Sequence, residues 1–137
     1  MISVGYARAM TRYNAWQNGS LYDAADTLSD IERLKERGAF FGSIHGTLSH
    51  LMWGDQQWMS RFSTVEKPPL LIKLSPGNYP DWKALKIRRA AFDQTIVDWA
   101  DALQPAWLDG DLTWYSGLAK ANVSKPKWFL VAHFFNH

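Results

Sequence analysis

Apolar residues recur along this chain at alternating intervals of three and four, a spacing that places side chains on one face of an α-helix. Three long segments show it, at residues 6–28, 41–62 and 82–103. The seam of the first segment consists of Tyr6, Met10, Tyr13, Gln17, Leu21, Ala24 and Leu28. Such regular seams are typical of antiparallel helices in a bundle.

Local signals set the expected helix boundaries. The second helix is predicted over about residues 38–62. The third begins after Pro80 and Asp81, because a proline in the first turn loses no needed hydrogen bond and a carboxylate there suits the helix dipole. A fourth helix is predicted to begin near Lys125 and Pro126 and to continue to the last residue, His137.

Two stretches interrupt the helical pattern. The connection over residues 63–79 contains two proline-rich breaks and is too long for a tight turn. Residues 109–111 carry a turn signal, and residues 112–115 suit a short extended piece. The predicted fold is therefore all-α: a four-helix bundle in one domain over residues 1–137. It has a long crossover between its second and third helices and a short hairpin before the fourth.

Composition narrows the class of protein. The chain is 47% hydrophobic with eight tryptophans, which argues against disorder. The densest charges, at residues 30–37, alternate in sign and favour a solvated helix face over a nucleic-acid surface. There is no cysteine, so any metal site must use His, Asp or Glu. With no signal peptide and no apolar run long enough for a membrane helix, we expect a soluble cytoplasmic protein.

The four histidines form two pairs. His133 and His137 are four apart, so on a helix both rings share one face and could share a metal ion. His45 and His50 are five apart, about 140° around a helix, and cannot both face one metal ion. His45 lies beside the apolar stripe and is predicted to be a buried, hydrogen-bonded histidine. On periodicity alone His50 is a surface residue.

Two charged residues, Asp55 and Arg89, occupy otherwise apolar seams of the second and third helices. Buried charges must be paired or must bind something. One interpretation is a salt bridge between them, and another is that either side chain reaches solvent at the end of the bundle. A third is that they support a metal ligand through hydrogen bonds.

Several motifs together resemble the DinB/YfiT-like family, the damage-inducible helical proteins. The opening helix carries Arg12-Tyr13-Asn14-Ala15-Trp16-Gln17-Asn18. The second-helix signature is Gly38-Ala39-Phe40-Phe41-Gly42-Ser43-Ile44-His45-Gly46-Thr47-Leu48-Ser49-His50-Leu51, followed by Asp55, Trp58, Arg61 and Phe62. Arg89 and Asp93 fit the third helix, and Phe135-Asn136-His137 looks like the start of the last signature.

The resemblance implies a divalent metal ion, with zinc or nickel as the expected ion, bound by three histidines at one end of the bundle. His50 matches the ligand of the second helix, and His137 matches the first histidine of an HxxxH motif on the last helix. The second histidine of that motif would fall beyond residue 137. We therefore expect either that the sequence ends inside its last helix or that His133 replaces the third ligand. His50 can be a ligand only if its polar face lines a cavity or an interface.

The family further implies a metal-dependent hydrolase, or a transferase that uses a low-molecular-weight thiol as co-substrate, acting on a small molecule. No HExxH or GxSxG motif identifies a general base or nucleophile. The alternative is a non-catalytic, stress-related module that binds a metal ion or a small molecule. We expect no nucleic-acid or membrane partner, and a homodimer through a helix face is compatible with either function.

Overall fold

The computed structural model describes residues 1–137, which are mostly helical with one small two-stranded sheet. The elements are α1 (Val4–Asp26), α2 (Asp30–Leu34), α3 (Ile44–Phe62), α4 (Trp82–Ala102), β1 (Asp111–Ser116), β2 (Ala121–Pro126) and α5 (Lys127–Phe134). Two 3₁₀ segments, Ile72–Gly77 and Pro105–Leu108, lie in the connections. The three long helices, the hairpin and the last helix are confirmed, whereas α2 and the 3₁₀ segments were not predicted. No helix combines the length and the apolar character that crossing a membrane requires.

The chain divides into two compact units. The central unit is Ala15–Gln94, and the hairpin unit combines Met1–Asn14 with Thr95–His137. Because α1 and α4 are long, each contributes residues to both units. α3 belongs wholly to the central unit, and the β-hairpin and α5 belong wholly to the hairpin unit.

The start of α3 differs from the prediction. The helix begins at Ile44 and not near Gly38, because Gly38 and Gly42 have φ values of 72° and 80°, in the left-handed region. Ser43 is the N-cap, and its hydroxyl accepts a hydrogen bond from the backbone N–H of Gly46 at 2.9 Å. The glycine-rich signature before His45 therefore forms a turn and a cap, and the helix follows it.

The buried face of α1 also differs from the prediction. The seam expected through Tyr13 and Leu21 is wrong, since these side chains are 49% and 52% exposed. The buried positions are Val4, Ala7, Thr11, Tyr22 and Ala25, and all of them except Val4 lie one residue after a predicted position. A pattern based on hydrophobicity fails for this helix, because the polar Thr11 is buried while the apolar Tyr13 and Leu21 are exposed. The seam of the third predicted helix is confirmed except at Trp99, which is half-buried. Its other positions are buried: Trp82, Leu85, Arg89, Phe92, Ile96 and Leu103.

Contacts within the central unit show the direction of each helix. α1 and α4 are antiparallel, because Asp26 bonds to Trp82 while Asn18 bonds to Asp93. α3 and α4 are parallel. Their first turns lie side by side, because the rings of His45 and Trp82 are 5.6 Å apart. Ten residues further along α3, Asp55 contacts Arg89 on the following turns of α4. The expectation of antiparallel neighbours therefore fails for α3 and α4.

The parallel arrangement explains the long crossover, because the chain must travel back along α3 before α4 can begin. We call residues 63–81 the strap. It follows α3 in the opposite direction, and its bonds join Gln56 Nε2 to Glu66 O, Trp53 Nε1 to Leu70 O, Ser49 Oγ to Ser75 O and His45 Nε2 to Tyr79 O. These distances lie between 2.6 and 2.9 Å. The strap thus satisfies polar groups that would otherwise mark this face of α3 as surface.

In the hairpin unit, β1 and β2 pair antiparallel, with Trp114 opposite Val123. Alternate residues of β1 are half-buried, as expected for a strand with one solvated face. α5 begins directly after β2 and ends at Phe134, with Phe135 as its C-cap. The prediction that the last helix extends to His137 is therefore wrong by one turn, and His137 lies just beyond the helix end.

Candidate functional site

His50 is tightly held on the strap-facing side of α3. Its Nδ1 lies 2.7 Å from the hydroxyl of Ser75, which is fully buried. The imidazole stacks on Phe41 with ring centroids 3.6 Å apart, and on Trp53 at 5.9 Å. A metal ligand held in this way has little conformational freedom left to lose on binding.

The strap also explains why periodicity predicted a surface position for His50 while the family resemblance predicted a metal ligand. Periodicity placed it on the surface because its neighbours on that face are small or polar. In the structure the strap covers this part of α3: Ser49, next to His50 in the chain, is fully buried, and its hydroxyl both donates to Ser75 O and accepts from the Tyr79 N–H. His50 is accordingly half-buried. The face that looked like surface is an interface within the central unit.

Hydrogen bonds to carbonyl groups determine the tautomers of two other histidines. Nδ1 of His137 lies 2.7 Å from Phe134 O, and a carbonyl only accepts, so Nδ1 carries the proton and Nε2 the lone pair. A metal ion would therefore bind His137 through Nε2. His45 has the opposite arrangement, because its Nε2 donates to Tyr79 O at 2.6 Å. His45 is 3% exposed, as predicted for a buried, hydrogen-bonded histidine.

His133 and His137 are brought together at the end of α5. Their rings stack with centroids 5.7 Å apart, and His137 also stacks on Phe134. Partial burial, together with the nearby His137, lowers the pKa of His133 below its ordinary value. The lowered pKa favours the neutral ring, which is the form that binds metal ions.

Asp55 and Arg89 form the salt bridge that was one interpretation of their positions. Arg89 Nη2 lies 2.8 Å from Asp55 Oδ2 and 2.6 Å from Asp93 Oδ1, so one guanidinium joins two carboxylates. Asn18 Nδ2 donates to the same oxygen of Asp93 at 2.9 Å. All three charged side chains are buried, so the interpretation of a solvated Asp55 or Arg89 is wrong.

Burial and charge act against each other in this cluster. Burial raises the pKa of Asp93, and the nearby Arg89 offsets only part of the effect. Burial lowers the pKa of Arg89, but Asp55 and Asp93 outweigh it and hold the pKa above its ordinary value. The hydroxyl of Tyr22 is buried nearby without a hydrogen-bond partner, and burial raises its pKa as well. The cluster links α1, α3 and α4 within the central unit.

The predicted ligands fall in different units. His50 lies in the central unit, and His133 and His137 lie in the hairpin unit. In neither unit are three or more His, Asp or Glu side chains grouped so that they could hold one metal ion. Each histidine taken singly is restrained in its orientation, His50 by Ser75 and Phe41, His137 by Phe134 O, and His133 by stacking on His137.

Two cavities open in the central unit, and His50 lines neither of them. The larger has a volume of about 320 Å³ and is lined by Asp30, Leu34, His45, Pro80, Asp81, Trp82 and Lys83. The smaller, of about 190 Å³, is lined by Arg37, Ala39, Ser43, Ile44, Thr47 and Leu48.

Ser75 is the residue at this site that sequence reasoning missed. It belongs to a Ser-Pro-Gly-Asn run, which is a turn signal, and nothing in that pattern indicates contact with a histidine 25 positions earlier. Asn18 was missed for the same reason, since its partner Asp93 is 75 positions away. Only the folded chain brings these pairs together.

A comparison with protein-family models matches residues 1–137, the whole chain, to the model described as DinB family. A search of curated proteins gives no match, and neither does a search of solved structures. The match therefore includes the motifs around His50 and His137. It also includes the residues of the buried cluster, Asp55, Arg89 and Asp93. The chain belongs to the DinB family.

Proposed function

We propose that this protein is a divalent-metal-dependent enzyme that acts on a small molecule, as a hydrolase or as a transferase of a low-molecular-weight thiol. His50 and His137 are the proposed ligands, with His133 as the third within this sequence, and zinc or nickel is the proposed ion. The observation that carries the proposal is the held ring of His50, stacked on Phe41 and bonded at Nδ1 to buried Ser75.

The chemistry of the donors supports the proposal. With no cysteine in the chain, neutral imidazoles are the best available ligands for zinc or nickel. His137 presents Nε2 as its lone-pair nitrogen, and the lowered pKa of His133 keeps that ring neutral. A bound divalent ion supplies Lewis acidity, which polarises a carbonyl or lowers the pKa of a thiol. The residues of this chain orient the ligands and exclude water from one side of His50.

Asp55 and Arg89 have a supporting role in this proposal. Asp55 lies five residues after His50 on α3, and Arg89 holds it from α4. The salt bridge therefore restrains the position of the helix that carries His50. Neither residue is proposed to contact the substrate.

Metal content tests the proposal. We expect purified protein loaded with zinc or nickel and then desalted to retain the ion, as measured by elemental analysis, and His50→Ala and His137→Ala to lose it. The matched control is His45→Gln, because His45 is a buried histidine whose bonded nitrogen faces a carbonyl. Retention of the ion by His50→Ala, or equal loss in His45→Gln, would contradict the assignment. His133→Ala decides whether His133 is the third ligand.

A non-catalytic binding module is the second candidate, and the cavity of about 320 Å³ beside His45 favours it. Its volume is at the lower end of the range for small-molecule pockets, and none of the proposed ligands lines it. Under this function, chelation lowers the melting temperature while hydrolase and thiol-transferase assays of the metal-loaded protein stay blank. Metal-dependent turnover that His50→Ala abolishes would exclude it.

A further inference from the structure

One wall of the cavity of about 320 Å³ is the imidazole of His45, which is 3% exposed. Its Nε2 donates to Tyr79 O, so Nδ1 carries the lone pair and only accepts hydrogen bonds. Nδ1 has no hydrogen-bond partner within the protein, and it is not among the unpaired atoms that the protein encloses completely. Because His45 lines the cavity, this nitrogen opens into it. A buried acceptor without a partner indicates a ligand that donates a hydrogen bond.

Two carboxylates that line the same cavity each have one oxygen left for a ligand. Asp30 Oδ1 accepts from Arg33 Nη2 at 2.5 Å, and Asp81 Oδ2 accepts from the backbone N–H of Ala84 at 2.7 Å. The second oxygen of each carboxylate makes no hydrogen bond within the protein. Together with Nδ1 of His45, the cavity presents three kinds of acceptor, which suit the three donors of a primary ammonium group.

Lys83 is the only basic residue that lines the cavity. Its side chain is exposed and forms no ion pair, although Asp81 is only two residues away. A ligand that carries an ammonium alone is repelled by Lys83, whereas a ligand that also carries a carboxylate can pair with it. The lining further contains the apolar Leu34 and Pro80, which suit a short hydrocarbon chain.

Trp82 is a rigid wall of this cavity. Its indole Nε1 donates to Asp26 Oδ1 at 2.8 Å, its ring stacks on Tyr22 with centroids 5.4 Å apart, and the guanidinium of Arg33 lies 4.6 Å from the ring. A wall that is already ordered loses little conformational freedom when a ligand binds. The cavity is therefore formed before a ligand arrives.

We propose that this cavity binds a small zwitterion with a primary ammonium and a carboxylate, the chemical class of the α-amino acids. The ammonium donates to Nδ1 of His45 and to the free oxygens of Asp30 and Asp81. The carboxylate pairs with Lys83, and the hydrocarbon part lies against Trp82. The site is separate from the proposed metal site, because none of the proposed metal ligands lines the cavity. It does not depend on whether the protein is a metal-dependent enzyme.

Three probes with the same hydrocarbon chain test the proposal. L-Norvaline carries both charged groups, n-butylamine lacks the carboxylate, and pentanoate lacks the ammonium. NMR titration of the metal-free protein follows the indole N–H of Trp82 and the ring nitrogens of His45. We expect norvaline to bind, and butylamine to bind about 2–5-fold more weakly, because Lys83 is exposed.

Pentanoate should bind at least about 10-fold more weakly than norvaline, because it lacks the charged donor for the buried acceptor and the carboxylates. The Nδ1 signal of His45 should move with norvaline and with butylamine, and it should not move with pentanoate.

Variants that remove one charge at a time assign each group of the ligand to its partner. Lys83→Gln should weaken norvaline binding about 2–5-fold and should not weaken butylamine binding. Asp81→Ser should weaken norvaline and butylamine binding about 2–5-fold and should not weaken pentanoate binding. Serine also keeps a side-chain acceptor for the Ala84 N–H at the start of α4. Lys73→Gln is the matched control, because Lys73 is an exposed lysine of the central unit that does not line the cavity.

The absence of any shift at Trp82 and His45 up to the solubility limit of norvaline would overturn the proposal. So would butylamine or pentanoate that binds as tightly as norvaline, or wild-type affinities in both Lys83→Gln and Asp81→Ser. If Asp81→Ser does not fold, the three probes on the wild-type protein and on Lys83→Gln still decide.

Failure of the proposed function is a separate outcome. His50→Ala, which should lose the metal ion, should bind norvaline as the wild-type protein does. A protein that binds no zinc or nickel would refute the metal-dependent function and would leave the affinities for the three probes to decide the role of the cavity.

Discussion

Asp93 in the central unit and Asp101 in the hairpin unit each contact an arginine, yet their pKa values move in opposite directions. Asp93 lies 2.6 Å from Arg89, and burial raises its pKa. Asp101 lies 2.9 Å from Arg12 in an exposed pair, and the hydrogen bond to Arg12 lowers its pKa. The same pairing thus has different consequences, because removing a carboxylate from water costs free energy that one shared guanidinium does not fully repay.

The contrast extends to uncharged contacts. In the central unit, the hydroxyl of Ser49 bonds to Ser75 O and is fully buried. In the hairpin unit, Thr113 Oγ1 donates to Ser124 Oγ at 3.0 Å across two exposed positions. Water cannot easily replace the buried contacts of Ser49 and Arg89 in the central unit, whereas it can replace the exposed contacts of Thr113 and Arg12 in the hairpin unit.

Replacing Arg89 or Arg12 should give the largest difference in the free energy of unfolding between a variant in the central unit and one in the hairpin unit. Arg89→Leu leaves Asp55 and Asp93 buried without their cation, and we expect it to lower the free energy of unfolding by about 3–5 kcal/mol. Arg12→Leu removes a solvated pair, and we expect a much smaller loss. Urea denaturation of both variants measures the difference. Equal losses would show that burial does not distinguish the two pairs.

Replacing Ser49 or Ser124 should give a smaller difference in stability, again with the larger loss in the central unit. Ser49→Ala leaves the Tyr79 N–H without its acceptor and removes one of the two hydrogen bonds to the buried Ser75 O, at a cost of about 1–3 kcal/mol. Ser124→Ala is the matched control on the hairpin, where we expect a loss of a few tenths of a kcal/mol, at the low end for cross-strand pairs. If Ser49→Ala is as stable as Ser124→Ala, the strap is not held to α3 by this bond.

Asp93 and Asp101 should contribute to the pH dependence of stability with opposite signs. Because the pKa of Asp101 is lowered in the fold, its contribution is present above the unfolded pKa and is lost as the pH falls through the folded value. The pKa of Asp93 is raised, so its contribution is present below the unfolded pKa and is lost as the pH rises through the folded value. Relative to wild type, Asp93→Asn should gain stability with rising pH, and Asp101→Asn should lose it.

Urea unfolding at a series of pH values checks these slopes, and carboxyl NMR titration checks the two pKa values directly. Asp93 should titrate above the ordinary range for aspartate and Asp101 below it. Parallel slopes for the two variants would mean that Arg89 compensates fully for the burial of Asp93.

Salt should give the smallest effect and the most selective one. At 1 M NaCl the screening length is about 3 Å, which weakens an exposed ion pair but hardly reaches a buried one. We therefore expect the effect of Arg12→Leu to disappear in high salt and that of Arg89→Leu to persist. Loss of the Arg89 effect in salt would indicate that water enters the cluster.

The same contrast explains which parts of the fold could be predicted. The seam of α4 was correct because its buried positions are almost all apolar, from Trp82 to Leu103. The seam of α1 was wrong because Thr11 is buried while Tyr13 and Leu21 are exposed. A hydrophobic pattern locates a core face only where the core is apolar.

The candidate site was predictable to a similar extent. The motif resemblance identified His50, and the spacing of four identified His133 and His137. The Asp55–Arg89 salt bridge was one of three interpretations, because an interrupted seam shows that a charge is buried without showing its partner. Ser75 carried no signal at all.

The sequence alone determined the long helices, the hairpin, the family and the candidate ligands, since these depend on local periodicity and on motifs of neighbouring residues. The tertiary structure decided the parallel direction of α3 and α4, the path of the strap and the pairing of Arg89 with two aspartates. It also decided that the polar face around His50 is covered. The strap contacts and the Asp55–Arg89 pair join residues 10 to 34 positions apart, and their energies depend on burial, which no local pattern contains.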